Sequence, residues 1–120
     1  MTIDEVPVVV IDLSYCYKFI VAKLTYPTTI ATKTVVRASD VDYHIELVHR
    51  LDAELQESGI MCYCLGGGNI KVNAILKIIE IWGESGKYGQ EPDRAETLRL
   101  IQAAHPDYKV MWNTESCGDL

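Results

Sequence analysis

The sequence predicts an α/β (α+β) fold in which helices pack on one mixed β-sheet. Three observations lead to this prediction: short runs rich in β-branched and aromatic residues recur along the chain, two longer segments have apolar residues at helical spacing, and the order is strands, helix, strands, helix, strand. A mixed sheet covered by helices satisfies that order most simply. With 120 residues, 48% apolar and 23% charged, the chain suits one globular domain. We therefore expect residues 1–120 to form a single domain.

The candidate strands share a short apolar sequence that is rich in β-branched or aromatic residues. They are Val8–Ile11, Tyr17–Leu24, Thr34–Arg37, Met61–Leu65, Leu76–Trp82 and Tyr108–Trp112. Residues 26–29, with Pro27 in second place, form a turn or loop between two of these strands.

Two segments have the periodicity of a helix. Apolar residues fall three or four positions apart between Val41 and Glu57, which predicts the first helix. Ser39 and Asp42 resemble a capping box at its start. The second helix is expected to begin near Pro92, a favoured first helical residue, and Pro106 prevents it from continuing much further.

Charge and hydropathy exclude several classes of protein. The chain has 11 Lys and Arg against 17 Asp and Glu, a net charge of −6, and its pI is about 4.9. Nucleic acid is bound by clustered Lys and Arg, so we expect no nucleic-acid partner, although a small anion site remains compatible with this balance. No apolar stretch approaches the roughly 20 residues that span a bilayer, so we expect no membrane partner.

The four cysteines point to a reduced environment. Cys16, Cys62, Cys64 and Cys117 form neither a C-x-x-C pair nor a disulfide framework. Cys62 and Cys64 alternate along one strand and so project from the same face. Two further ligands at zinc spacing are not evident, so we expect structural thiols and no metal. We predict a cytoplasmic protein.

Among the three histidines, His44 is the candidate for chemistry. It lies near the start of the first helix, leaning towards the packed side, where the helix dipole disfavours a positive imidazole. The carboxylates of Asp40 and Asp42 act in the opposite direction. A half-buried structural histidine and a proton-accepting base both fit this position. His49 and His105 are expected at the surface.

Two glycine-rich segments invite different interpretations. In Gly83–Gly89 (GESGKYG) the glycines allow successive backbone N–H groups to converge on an anion, while Ser85 and Lys87 add a hydroxyl and a charge. It is not a Walker A loop, because Tyr88 follows the lysine. A purely structural turn is the alternative. The glycines at 66–68 lie between two candidate strands, which favours a hairpin or a bulge over a phosphate loop.

Several motifs together resemble the janus family, which includes protein-phosphohistidine phosphatases. The segment 62–70 (CYCLGGGNI) resembles the family's C-x-C-L-G-G-G-R-I. Four more pieces match in the same order along the chain: Tyr17–Phe19, Arg37 followed by Tyr43-His44, the G-x-S-x-x-Y-G loop at Gly83–Gly89, and P-D-Y-x-V-x-W at Pro106–Trp112. The resemblance extends from about Tyr17 to Trp112.

This resemblance implies a central six-stranded sheet flanked by two helices. It also implies cofactor-free, metal-independent hydrolysis of the P–N bond of phosphohistidine, with His44 as the catalytic residue, either as general base or as nucleophile. The residues implied to bind the phosphoryl group are Lys18, Arg37, Tyr43, Ser85, Gly86 and Lys87. The expected partners are phosphohistidine-containing proteins, and the expected state is a monomer.

Two residues depart from the family pattern. Asn69 replaces the arginine that follows the three glycines, and Glu84 adds a negative charge to the loop. The family also includes sex-regulated proteins. A non-catalytic module that binds phosphoproteins or anions is therefore the alternative function.

Overall fold

A computed structural model describes residues 1–14 and 16–114 of the chain. Within these residues the chain forms one six-stranded mixed sheet and two α-helices, which confirms the predicted fold class. In chain order the elements are a 3-10 helix at Ile3–Glu5, β1 at Val9–Ile11, β2 at Lys18–Thr25, β3 at Thr32–Ser39, α1 at His44–Glu54, β4 at Met61–Asn73, β5 at Ile78–Trp82, α2 at Arg94–Ala104 and β6 at Lys109–Trp112. Cys117 lies outside the described residues.

The sheet has the strand order β1-β3-β2-β4-β5-β6. The four inner strands pair antiparallel, and the outer strands β1 and β6 pair parallel with their neighbours. Lys18 on β2 is paired with Asn69 on β4, which is in turn paired with Trp82 at the end of β5. These three positions therefore lie side by side at one end of the sheet, where the loop after β5 begins.

Alternation along β2 separates two apolar cores, one on each face of the sheet. Ile20 and Leu24 pack with Leu51 of α1. Phe19 and Val21 point to the opposite face and belong to the cluster that includes residues of α2. Each fully buried side chain of this kind contributes about 1.5–3 kcal/mol relative to an exposed one. The two helices therefore cover opposite faces of the sheet.

Cys62 and Cys64 both pack against the apolar core under α1. They share one face of β4, as their spacing predicts. Burial raises the pKa of the Cys62 thiol to about 11 and also raises that of Cys64. Both thiols are therefore protonated at neutral pH, which fits the predicted structural role.

Helix α1 begins later than predicted. Ser39 ends β3 and does not cap the helix. Tyr43 is the N-cap, and the Glu46 carboxylate accepts a hydrogen bond of 2.9 Å from its amide. Val41 is buried in the core ahead of the helix, so the apolar periodicity starts before the helical backbone does.

Two further boundaries differ from prediction. Pro92 lies outside α2, because Asp93 is the N-cap and its carboxylate accepts from the Glu96 amide at 3.0 Å. Leu76 lies in the exposed turn before β5, which begins at Ile78. Within the described chain, neither helix has the length and apolar character needed to cross a bilayer.

The glycines at 66–68 lie inside β4 and do not separate two strands, so the predicted hairpin is wrong. The predicted bulge is present: the register between β2 and β4 shifts at Val21 and Ala22, opposite Gly66. Gly66 has φ of 147°, which residues with a side chain rarely adopt. A Cβ there would lie 2.3 Å from the Glu91 amide nitrogen. The glycines thus allow the segment after the loop to pass close over the sheet.

Candidate functional site

A cleft of about 430 Å³ opens at the end of the sheet where β2, β4 and β5 meet, and we call it the histidine cleft. The start of α1 and the loop after β5 form its walls. Its lining residues are Lys18, Asp42, Tyr43, His44, Ile45, Asn69, Glu84, Ser85, Gly86 and Lys87. Every predicted site residue except Arg37 therefore lines one cleft.

His44 is the first residue of α1, and only 8% of its surface is exposed. Its Nε2 lies 2.8 Å from the carbonyl oxygen of Gly68. Because a carbonyl only accepts, Nε2 donates a proton to it, and the lone pair of the neutral ring is on Nδ1. Burial lowers the pKa of His44, and the charge of Lys18 lowers it further, against the effect of the Gly68 hydrogen bond. His44 is thus neutral at pH 7, as predicted, mainly through burial.

The loop that faces His44 is closed by its own hydrogen bonds. Ser85 is buried, and its Oγ accepts from the amides of Lys87 at 3.3 Å and Tyr88 at 3.0 Å. Ser85 and Gly89 exchange two backbone hydrogen bonds. Among the described residues, the Gly86 amide has no protein acceptor. Of the three amides in the predicted nest over Ser85–Lys87, those of Ser85 and Lys87 are already bonded within the loop, which leaves the Gly86 amide available to an anion.

The charges around the histidine cleft are balanced. Lys18 and Lys87 bring two positive charges, and Asp42 and Glu84 bring two negative ones. Glu84 and Lys87 are exposed, whereas Lys18 is half-buried. An anion would therefore be attracted by the two ammonium groups and repelled by the two carboxylates.

Two neutral polar side chains complete the rim. Tyr43 is 70% exposed at the edge of the cleft. The side chain of Asn69 packs against Gly83: a Cβ added to Gly83 would lie 2.6 Å from Asn69 Nδ2. Gly83 has φ of 72°, so a glycine suits this position on both counts.

Arg37 lies in a second cleft of about 280 Å³ between α1 and the β1–β3 edge, which we call the arginine cleft. Its Nε and Nη2 donate to Glu54 at 3.1 and 2.8 Å. Its Nη1 donates to the carbonyls of Val36 and Val8. Its donors are thus directed at protein acceptors, and its predicted role in phosphate binding draws no support from this position.

A buried charged pair that the sequence did not predict lies behind the part of β4 with three glycines, residues 66–68, which we call the glycine strand. Glu91 and Arg94 are each 2% exposed, and Arg94 Nη2 lies 2.8 Å from Glu91 Oε1. Thr97 Oγ1 donates to the same carboxylate at 2.6 Å. Charged residues at a helix start suggest a solvated surface. The only available signal was the run of three glycines, which indicates that something large packs against the strand.

The other two histidines lie away from the histidine cleft. His49 is exposed on α1, as predicted. His105 is the C-cap of α2, half-buried, with its ring edge-on to Tyr108 at a centroid distance of 6.0 Å. The surface prediction for His105 is therefore only partly correct, and neither ring lines the cleft.

The chain is similar to known proteins over most of its length. A family model described as Janus/Ocnus family (Ocnus) matches residues 3–109. The chain is 33% identical over 114 residues to the 14 kDa phosphohistidine phosphatase of Sus scrofa, with 90% of each chain covered. It is 31% identical over 113 residues to the Homo sapiens protein of that name, covering 89% of this chain and 90% of that one. It is 29% identical over 116 residues to the sex-regulated protein janus-A of Drosophila pseudoobscura pseudoobscura, covering 92% and 77%.

Proposed function

This chain belongs to the Janus/Ocnus family, and from that premise we propose that it is a protein-phosphohistidine phosphatase, which hydrolyses the P–N bond of phosphohistidine in proteins. One observation supports the proposal most: the neutral, buried His44 has its lone pair on Nδ1 and faces the loop at Ser85–Lys87 across a single cleft. The names of the two mammalian relatives support the same activity.

Phosphoryl binding in this proposal combines hydrogen bonds and charge. The Gly86 amide and the Ser85 hydroxyl donate to the phosphoryl oxygens, and the ammonium groups of Lys18 and Lys87 add positive potential. Tyr43 at the rim contacts the phosphohistidine that enters the cleft. These groups hold phosphorus in a fixed orientation relative to His44, which is the main requirement for cleaving a labile bond.

His44 then acts as the general base. Nδ1 accepts a proton from water while the water oxygen bonds to phosphorus. The P–N bond breaks, and the substrate imidazole leaves with its electron pair and takes up a proton. The products are histidine and inorganic phosphate. The Gly68 carbonyl keeps Nε2 protonated, so that Nδ1 is the nitrogen available to the water.

A nucleophilic role for His44 is the alternative within the same mechanism. Nδ1 would bond to phosphorus and displace the substrate imidazole, and water would then hydrolyse the phosphorylated His44. A single turnover with phosphate-labelled substrate, quenched in alkali, separates the two. Label on the protein that disappears in His44→Ala indicates a nucleophile, and its absence indicates a general base.

The direct test of the function is phosphate release from a phosphohistidine protein in EDTA. We expect release by the wild type, because amide groups and lysines supply the positive potential in this proposal. His44→Ala should abolish most of the release, and His49→Ala, on the same helix but exposed, is the matched control. A folded wild type that releases no phosphate contradicts the function, and a strict need for metal contradicts the mechanism.

A second candidate function is a non-catalytic module that binds phosphoproteins or anions. Asp42 and Glu84 in the cleft favour it, as does Asn69 at the position of the family's arginine, because together they reduce the positive charge near the site. The janus-A relative is compatible with this candidate. Binding of phosphate or of a phosphohistidine protein without turnover would support the module.

A further inference from the structure

We propose that Arg94 is a positioning residue. Paired with Glu91 behind the glycine strand, it fixes the position of the His44 ring relative to the loop of the histidine cleft that contains Ser85. The catalytic consequence rests on the proposed function. The geometric consequence, the orientation of the His44 ring, can be measured without any turnover.

The first support is the set of contacts that Arg94 makes. Its Nε and Nη2 donate to the two oxygens of Glu91 at 3.2 and 2.8 Å. Nη2 also donates to the Gly67 carbonyl at 3.0 Å, and Nη1 donates to the Gly83 carbonyl. One guanidinium therefore joins the middle of β4 to the first residue of the loop that contains Ser85.

The second support is the neighbouring carbonyl on β4. Arg94 binds the carbonyl of Gly67, and His44 Nε2 binds the carbonyl of Gly68, the next residue. The two carbonyls are separated by one residue of backbone, so a shift of the Gly67 peptide changes the direction of the Gly68 carbonyl. The same interaction that anchors the loop at Gly83 thus also sets the acceptor that orients the catalytic ring.

The third support is the absence of side chains on β4 at this point. A Cβ at Gly68 would lie 2.9 Å from Arg94 Nη2 and 2.5 Å from the Trp82 carbonyl oxygen. The guanidinium also lies 5.3 Å from the ring centroid of Phe19, the strand partner of Gly68. Phosphate binding leaves the three glycines without a role. Space for the Arg94 guanidinium gives Gly68 one, and close approach of the Glu91 backbone gives Gly66 one.

Burial determines how the proposal is tested. Both side chains of the pair are 1% exposed, so removal of one partner alone leaves an uncompensated charge in the interior. Replacement of both by apolar residues of similar volume is better tolerated, which makes the double variant Glu91→Leu with Arg94→Met the main test. Thr97 Oγ1 keeps a second acceptor in that variant, the Asp93 carbonyl at 3.4 Å.

Arg94→Lys is the second variant. It keeps the positive charge beside Glu91, but an ammonium cannot pair with both oxygens of Glu91 and also reach two carbonyls in a fixed plane. Arg99→Met is the matched control, because Arg99 and Glu96 have the same i, i+3 spacing on α2 but are 65% and 37% exposed. Thermal unfolding of each variant shows whether it is folded.

The first readout is the tautomer of His44, measured by ¹⁵N NMR of the imidazole in the free protein. We expect a single tautomer, protonated on Nε2, in the wild type and in Arg99→Met. In the folded Arg94 variants we expect averaging between two tautomers. A single Nε2 tautomer in Arg94→Lys and in the double variant would overturn the proposal.

The second readout is kcat on a phosphohistidine protein. Misplacement of a reacting group by about 1 Å costs up to about a hundredfold in rate, so we expect kcat to fall by roughly 10- to 100-fold with KM much less affected. Unchanged kcat in the folded variants, or a loss of kcat with the tautomer retained, contradicts the proposal. A wild type without turnover rejects the proposed function alone, because the tautomer measurement still decides the role of Arg94.

Discussion

The two clefts that border α1 differ in what their charged groups already bind. In the arginine cleft, the Arg37 guanidinium donates to the Glu54 carboxylate and to two backbone carbonyls. In the histidine cleft, neither the Lys18 ammonium nor the Gly86 amide has a protein acceptor within residues 1–14 and 16–114. An anion therefore finds free donors in the second case and satisfied ones in the first. The availability of a cation depends on its partners in the fold, which motif spacing does not report.

The largest effect is expected for His44→Ala. Removal of a general base costs about 10²–10⁴-fold in rate, and that loss should appear in kcat for a phosphohistidine protein. The fold should persist, because His44 lies at the edge of a cleft and not in the centre of either core. His49→Ala should keep wild-type activity. A fully active His44→Ala would mean that the histidine cleft is no better a candidate for the active site than the arginine cleft.

Stability provides the next comparison, between two Arg–Glu pairs with the same Nη2–O distance of 2.8 Å. Arg94→Met leaves the Glu91 carboxylate uncompensated and 1% exposed, so we expect a loss of about 3–5 kcal/mol in the free energy of unfolding. Arg37→Met leaves Glu54 32% exposed and able to be hydrated, so the loss should be about 1–3 kcal/mol. Urea unfolding at pH 7 measures both. Equal losses would show that burial does not separate the pairs.

Residue type and local spacing identified His44 and the loop at Gly83–Gly89 as separate candidates, and only the family resemblance predicted that they share one site. A serine between closely spaced glycines after a strand forms a tight loop in most folds, and Ser85 forms one here. The helix start correctly predicted that the pKa of His44 is not raised, but burial, which local spacing does not report, is the main cause of its lowering. The strands and helices were predicted for the same reason, since alternation and helical periodicity are local properties.

The features that could not be predicted from the sequence all depend on tertiary contacts. The partner of Arg37 is Glu54, seventeen positions away, and only the packing of α1 on the sheet brings them together. In the sequence, Glu91 and Arg94 are charged residues beside a proline, a pattern typical of an exposed helix start. They are buried because this segment crosses close over the glycine strand. Val41 continued the apolar periodicity of α1 because it is buried in the core, although its backbone is not helical.

A smaller effect, a shift in the pH dependence of kcat, should distinguish the role of Lys18 from that of Arg37. Lys18 lowers the pKa of His44, so in Lys18→Met that pKa should rise towards its ordinary value near 6.5. In the proposed mechanism His44 acts only when deprotonated, so the acid limb of the kcat profile should move to higher pH. NMR titration of His44 checks the shift directly, and KM should increase in the same variant.

Arg37→Met is the matched control for that titration. Arg37 is not among the groups that shift the pKa of His44, and its guanidinium is bound to Glu54. The acid limb should therefore stay where it is in the wild type, and KM should change little. An equal rise in KM for Lys18→Met and Arg37→Met would restore the role in phosphate binding that the sequence motif predicted for Arg37.

The smallest expected effect belongs to Glu84, and it tests whether the charge balance of the histidine cleft limits anion binding. Glu84 is exposed, so its repulsion of a phosphate is largely screened by water, at about 1 kcal/mol for unit charges 4 Å apart. Glu84→Gln should therefore tighten binding of inorganic phosphate by only about two- to fivefold at low salt, and the gain should shrink as ionic strength rises. Isothermal titration with phosphate measures this without turnover. Asp52→Asn, exposed on α1 and lining neither cleft, should leave phosphate affinity unchanged. If Glu84→Gln binds phosphate no more tightly than Asp52→Asn, the Glu84 carboxylate does not oppose the anion, and it no longer supports a weakened or non-catalytic site.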